Sequence, residues 1–185
     1  SYFQSLEHDA CGVGFVTSTE GKKSRKIVEF GIQALKAVWH RGAVDADGKT
    51  GDGAGIHIEI ANDFFKEKIE NYGRKYDGGT ICVGMIFLPR NDYSAQEKCK
   101  TLIEKELLGK NYYVYRWRQV PIKTSILGEK AENNRPEITQ IIFKTNNKNL
   151  LGEELERDLF VVRKKIEKES HLLGLKDFYI CSLSS

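Results

Sequence analysis

The sequence predicts one domain of mixed α and β structure, and three observations carry that prediction. Candidate strands and helices alternate along 185 residues, a length that fits a single globular core and is too short for a multidomain redox enzyme. Hydrophobic residues make up 40% of the chain and charged residues 30%, the balance of a folded protein rather than a disordered one. No candidate strand runs into a Gly-x-Gly-x-x-Gly turn opening a helix, so the alternation does not single out a doubly wound parallel sheet. Pattern alone stops at α/β or α+β.

The elements follow in order. Residues 12–19 mix β-branched and aromatic side chains between turn signals and read as a strand, with Cys11 just before it. Ser24 is placed to cap a helix over 25–39, where Ile27, Phe30, Ile32, Leu35 and Val38 recur at helical spacing. A Gly- and Asp-rich loop covers 41–55. A strand at 56–60, a helix at 63–70, a strand at 80–88, a helix at 94–108 and a strand at 112–119 come next. Beyond a loop over 121–136 lie a strand at 137–144, a charged amphipathic helix at 152–169 and a closing strand at 178–183.

Charge and cysteine usage narrow the function classes. The net charge of +3 comes from 29 basic and 26 acidic residues interspersed along the chain, with no one-signed block to gather phosphates or lipid head groups. Nucleic acid and membrane are therefore not expected partners. No apolar run approaches the ~20 residues of a spanning helix, and the polar N-terminus lacks the apolar centre of a secretory signal. The expected compartment is the cytoplasm, or a plastid for a photosynthetic source. Cys11, Cys82, Cys99 and Cys181 are widely separated and form no Cys-x-x-Cys pair, so neither a metal site nor a disulfide framework is expected. The chain has no initiator Met and stops directly after a strand-like run, which reads as a piece of something longer.

Four segments contain unusual chemistry: His8-Asp9-Ala10-Cys11-Gly12-Val13-Gly14-Phe15, His40-Arg41-Gly42-Ala43, Thr50-Gly51-Asp52-Gly53-Ala54-Gly55, and Tyr115-Arg116-Trp117-Arg118-Gln119-Val120-Pro121. Each has a plain structural explanation. A Cys opening a strand is commonly a small buried hydrophobe, paired glycines mark close backbone packing, and Arg41 can pair with a nearby carboxylate while Gly42 lets the chain turn. Trp117 with Arg118 could offer an aromatic-cation pair to a base, but no basic groove surrounds them in the sequence. His40 and His57 invite a Cys-His dyad, although His57 alternates within 56–60 as a sheet-facing residue does.

Taken in order, the motifs resemble a known family. Cys-Gly-Val-Gly-Phe, a helix running into His-Arg-Gly, and Thr-Gly-Asp-Gly-Ala-Gly resemble the N-terminal class II glutamine amidotransferase domain of glutamate synthase large subunits. The resemblance continues through Gly84-Met85-Ile86-Phe87-Leu88-Pro89, Trp117-Arg118-Gln119-Val120-Pro121 with Leu127-Gly128, Pro136-Glu137-Ile138-Thr139-Gln140, and the run from Phe178 to Ser185. It thus covers residues 8–185.

That resemblance implies an α+β fold of the N-terminal-nucleophile hydrolase type, a four-layer αββα sandwich of mainly antiparallel sheets, here C-terminally truncated. It implies that residues 1–10 are a leader and that 11–185 form the N-terminal portion of the amidotransferase domain. Cys11 is then the nucleophile and its freed α-amino group the general base. Arg41 and Gly42 are implied in the substrate pocket wall, and Asp52 and Gly53 in the neighbouring loop. The implied substrate is L-glutamine. FMN, an iron-sulfur cluster and the 2-oxoglutarate site are implied for other synthase domains, none of them for this chain, with ferredoxin or a nicotinamide-dependent subunit as electron donor. The family's carboxylate-gripping Arg, oxyanion-hole Asn-Gly pair and amine-binding Asp lie beyond the matched region. Because loss of oxyanion donors costs about 10²–10³ in rate, the isolated fragment is expected to be inactive. Two alternatives remain open: a non-catalytic amidotransferase-like fragment or paralogue with an assembly or regulatory role, and a cysteine hydrolase pairing Cys11 with His40 or His57.

Overall fold

The computed structural model describes residues 12–38, 42, 44–51 and 53–185. Contacts divide the chain into two compact units, one of Ser1–Glu59 with Lys123–Asn134 and one of Ile60–Ile122 with Arg135–Ser185.

The second unit contains the sheet. Strands β1 (Ile81–Leu88), β2 (Tyr112–Gln119), β3 (Glu137–Thr145) and β4 (Tyr179–Ser184) lie in the order β2-β3-β1-β4, and every pairing is antiparallel. The α+β expectation therefore holds, and the parallel alternative that pattern alone left open is excluded. Side-chain alternation of period two sends β1 into two cores. Cys82, Ile86 and Leu88 join the larger core, while Ile81 and Val83 join the smaller one on the opposite face.

Helices α3 (Tyr93–Gly109) and α5 (Gly152–Leu172) cover the larger core. Helix α5 buries Leu155, Leu159, Val162, Ile166 and Ser170, a spacing of three and four residues that lines one helical face. Asp92 caps α3 by accepting from the Ala95 N–H at 2.9 Å, which satisfies one of the donors left free in a first turn. The almost fully buried Glu106 of α3 meets Lys165 of α5 at 2.6 Å, joining the two helices across their seam. On the opposite face, α2 (Asn62–Glu70) lays Phe65 and Ile69 against Ile81, Val83, Tyr115 and Ile142.

The first unit holds α1 (Arg25–Ala37), a 3-10 turn at Thr124–Ile126 and α4 (Glu129–Asn134). Ser24 stands at the N-cap of α1 as expected, but its side chain makes no capping bond; its carbonyl accepts from the Ile27 N–H at 3.2 Å. The strands expected at 12–19 and 56–60 are not formed. Most of their β-branched and aromatic side chains stand exposed, with Val13 at 95% and Phe15 at 91%, and only Ile60 packs against a core. Strand propensity measures fit to a paired, half-buried surface, and without a partner ladder these segments stay extended chain. Helix α4 lies inside what the sequence reads as a loop, because six residues are too few for a periodic signal.

Gly84 is a tightly packed point of the sheet. A β-carbon there would stand 2.7 Å from Ile141 Cγ2 and 2.9 Å from Leu183 Cδ1, closer than side chains approach one another. Replacing Gly84 with Ala should destabilise the fold by about 1–3 kcal/mol through overpacking. Urea unfolding should show a lower midpoint with little change in slope, and a wild-type midpoint would mean that the sheet relaxes around the methyl group.

Candidate active site

Cys11, Arg41 and Gly42 are the site residues expected from sequence. Cys11 and Arg41 lie outside the described residues, as do His40 and Asp52. Gly42 is described; it is exposed and sits in a bend.

The described flanks of these residues come together. A β-carbon built on Gly12 would stand 3.8 Å from Val38 Cβ, in ordinary van der Waals contact. The segment leaving Cys11 thus runs beside the C-cap of α1, from which the chain leads into His40-Arg41-Gly42. Gly31 of α1 comes close to Ile56, whose Cδ1 would be 3.2 Å from an added β-carbon, so the extended 56–60 segment also borders this helix.

Beyond Gly42 the chain makes a tight hairpin. Val44 and Gly51 form an isolated antiparallel bridge, the Asp45 N–H donates to Thr50 O at 2.7 Å, and Gly48 N–H donates to Asp45 O at 2.9 Å. Gly48 adopts φ +67, the left-handed conformation that such a turn requires and that glycine takes without steric cost. Asp47 closes the tip, accepting from the Lys49 N–H at 2.9 Å, the Thr50 N–H at 2.6 Å and the Thr50 hydroxyl. These bonds, with that of the Thr50 hydroxyl foremost, hold the Asp47 carboxyl below the usual carboxylate range.

A second motif segment meets this hairpin. Lys130 of α4 donates to Asp45 at 2.6 Å, which lowers the Asp45 pKa and raises that of Lys130. At Gly128, which precedes α4, an added β-carbon would fall onto the Asp47 carboxylate, the Thr50 hydroxyl and the Thr50 backbone nitrogen. Gly128 is also the one buried residue among the described residues of this unit. The Thr50 to Gly55 and Leu127-Gly128 motifs, far apart in sequence, are thus one structure. Lys130 was missed by sequence reasoning; nothing in its surroundings distinguishes it from the chain's other lysines. An open hollow of about 470 Å³ lies between the hairpin and α4, and the Asp45 and Lys130 charges on its wall are spent on each other.

Several sequence candidates resolve into structural roles. His57 is exposed on an unpaired segment rather than facing a sheet. Trp117 packs against the larger core and its Nε1 donates to Glu104 at 2.6 Å. Arg118 donates to Gln140 at 2.6 Å and lies over Phe64, not over Trp117; the cation above Trp117 is Lys100. Burial pushes the Cys82 thiol up to about 12, with the Glu156 charge adding to it, and burial pushes Cys99 up to about 11. Both are core residues, not nucleophiles.

The family model for class II glutamine amidotransferases matches residues 11–185. The chain belongs to that family. As an amidotransferase it carries the N-terminal-nucleophile hydrolase fold, of which the described residues show one four-stranded sheet with helices on both faces. Among curated relatives, it is 54% identical to the glutamate synthase [NADPH] large chain of Azospirillum brasilense over 185 residues, covering 100% of this chain and 12% of that protein. It is 40% identical to the ferredoxin-dependent glutamate synthase of Pyropia yezoensis over 182 residues, 96% of this chain and 12% of the relative. The ferredoxin-dependent glutamate synthase 2 of Synechocystis is 37% identical over 179 residues, 96% of this chain and 11% of the relative. The amidotransferase chain therefore spans roughly an eighth of the length of these proteins.

The thiol environments predict selective chemistry. Burial holds the Cys82 and Cys99 thiols in their protonated, unreactive form at pH 8. Iodoacetamide applied to the native protein should alkylate the exposed Cys181 and spare Cys82 and Cys99 until denaturant is added. Peptide mapping that found Cys82 labelled at the native rate would contradict its burial.

Proposed function

We propose that this chain is the glutamine-hydrolysing domain of a glutamate synthase, working with Cys11 as an N-terminal nucleophile once residues 1–10 are removed. The observation that carries the reading is where the family match begins. It starts at residue 11, whereas the similarity to the Azospirillum protein runs through residues 1–10 as well. A segment present in a relative but outside the domain family, ending directly before a Cys, is what a removable leader looks like. The approach of Gly12 to Val38 adds support, since it sets the chain after Cys11 beside the helix end that leads to Arg41 and Gly42.

The chemistry follows from a freed Cys11. An unperturbed α-amino group titrates near ~8 and an unperturbed thiol near ~8.5, so proton transfer from the thiol to the amine is feasible at working pH. The thiolate attacks the side-chain amide carbon of glutamine, the C–N bond breaks, and the proton passes to the departing nitrogen to give ammonia and a γ-glutamyl thioester. Water then adds to the thioester carbon, losing a proton to the amine; the C–S bond breaks, glutamate leaves, and the freed thiolate takes back the proton from the amine. With Ala10 still attached the Cys11 nitrogen is an amide and cannot serve as base. Arg41 and Gly42 form the pocket wall that holds the substrate next to the thiol.

In the parent protein the ammonia condenses with 2-oxoglutarate, and two electrons with two protons reduce the product to glutamate. FMN and an iron-sulfur cluster belong to the remaining domains. Among the described residues no group of three or more His, Cys, Asp or Glu side chains is arranged to hold a metal. Identity of 54% to a protein named for NADPH, against 40% and 37% to ferredoxin-dependent ones, favours a nicotinamide-linked donor. Free thiols at Cys82, Cys99 and Cys181 go with a reducing, cytoplasmic setting, and no described helix is long and apolar enough to cross a membrane.

Protein purified from its natural source should begin at Cys11 by N-terminal sequencing. A glutamine-mimicking diazo-ketone should label Cys11 in the full-length enzyme and leave Cys82, Cys99 and Cys181 untouched. Replacing Cys11 with Ala should lower glutaminase turnover by more than about 10³-fold. Active enzyme that retains residues 1–10, or glutaminase that survives Cys11→Ala, would sink the assignment.

A further inference from the structure

We propose that Gly128 and Lys130 are positioning residues for the glutamine site: together they lock the 44–51 hairpin against α4 and so fix the Gly42 segment from which the hairpin springs. The inference rests on the assignment of Arg41 and Gly42 to the pocket wall.

Three features make the hairpin a single body held from outside. Its tip is closed internally, because Asp47 takes up the Lys49 and Thr50 amides and the Thr50 hydroxyl, while Gly48 supplies the positive φ. Its base is closed by the Val44 to Gly51 bridge and the Asp45 to Thr50 backbone bond. Its outer surface meets α4 and the residue before it at two points: Lys130 on the Asp45 carboxylate, and the bare Gly128 backbone beneath Asp47 and Thr50. The second contact is steric and exacting, since the space a methyl group would need at Gly128 is already filled by Thr50 backbone as well as by side chains.

Chain connectivity carries a displacement onward. Gly42 lies two residues before Val44, and Gly53 two residues after Gly51, so the candidate pocket segment at Gly42 and its neighbouring loop leave the same bridge. A single residue of chain separates each from it. Gly128 is the one buried residue among the described residues of this unit, so its contact is where the hairpin is most closely held. A shift forced at Gly128 therefore moves the Gly42 segment relative to the chain leaving Cys11, and misplacement by about 1 Å within a site can cost up to 10²-fold. A brace with only a folding role would instead change the amount of folded enzyme and leave the substrate affinity of the folded fraction alone.

The test uses the full-length enzyme in four forms: wild type, Gly128→Ala, Lys130→Ala and Lys130→Arg. Three quantities are read: kcat and KM for glutamine, the rate of glutamate formation with an ammonium salt in place of glutamine, and the thermal midpoint. Gly128→Ala should raise the glutamine KM about tenfold or more with kcat within about twofold. Lys130→Ala should raise KM about threefold, and Lys130→Arg, which keeps the charge and a donor to Asp45, should restore it. The ammonium-driven rate should be unchanged in all forms. Lys130 is exposed, so the Ala and Arg pair decides the matter even where Gly128→Ala fails to fold. A wild-type KM in Lys130→Ala, or an ammonium-driven rate that falls with the glutamine-driven one, overturns the positioning role. Glutaminase that survives Cys11→Ala overturns the site assignment itself, a separate failure seen without any change at Gly128 or Lys130.

Discussion

The larger unit depends on β1, because its alternate side chains close two cores at once. Cys82, Ile86 and Leu88 face the helices α3 and α5, while Ile81 and Val83 face α2. A slip of one residue in its pairing with β3 would exchange these sets and strand apolar groups on both sides. Pairing on both flanks, with β3 and with β4, removes that freedom. Gly84 lets β4 and β3 crowd in where the larger core is tightest, so the missing side chain is part of the packing rather than a gap in it.

Two bulges then tune the edge strands to this central register. In β2 the pairing passes from Val114 opposite Phe143 to Arg116 opposite Ile142, leaving Tyr115 as the extra residue. Tyr112 and Val114 before it, and Trp117 after it, can therefore all meet the larger core although their spacing changes parity. Tyr115 itself turns to the other face, where its hydroxyl donates to Asp77 at 2.7 Å. In β4 the extra residue is Cys181, and Ile180 and Leu183 reach the same core across it. Glu156 of α5 accepts from the Ser185 N–H at 2.7 Å and from both terminal serine hydroxyls, which ties the end of β4 to the helix layer.

How far the sequence could be read follows this physics closely. Helices α2, α3 and α5 and all four strands lie within a few residues of their expected limits, since each presents a periodic apolar face to a core. The direction of strand pairing has no local signature, so pattern left it open and the family resemblance supplied the antiparallel answer. Both bulges escaped for the same reason: an extra residue is defined by the partner strand. The expected strands at 12–19 and 56–60 had the right composition but no ladder. For the site, spacing alone ranked Cys11 no higher than a buried core thiol, and only the ordered motifs distinguished it. The meeting of Gly128 with Asp47 and Thr50 lies between them, visible as two separate motifs but not as one contact.

The two units are held by different forces, and this bears on how each answers to change. In the larger unit, burial of many apolar side chains is non-directional, and the loss of one methylene is shared among neighbours. In the smaller unit Phe15, Ile56, Ile58 and Phe30 remain substantially exposed, and α1 buries no residue. Its local order is instead written in donors and acceptors: Asp47 with three partners, Asp45 with the Ala46 amide and Lys130, and the bridge at Val44. Hydrogen bonds are directional and fail within fractions of an ångström. A hairpin built this way has a well-defined shape while every bond is made, and a single misplaced atom in it alters that shape directly. The shape of the hairpin is therefore set by the geometry at a few polar atoms rather than by the apolar area it buries.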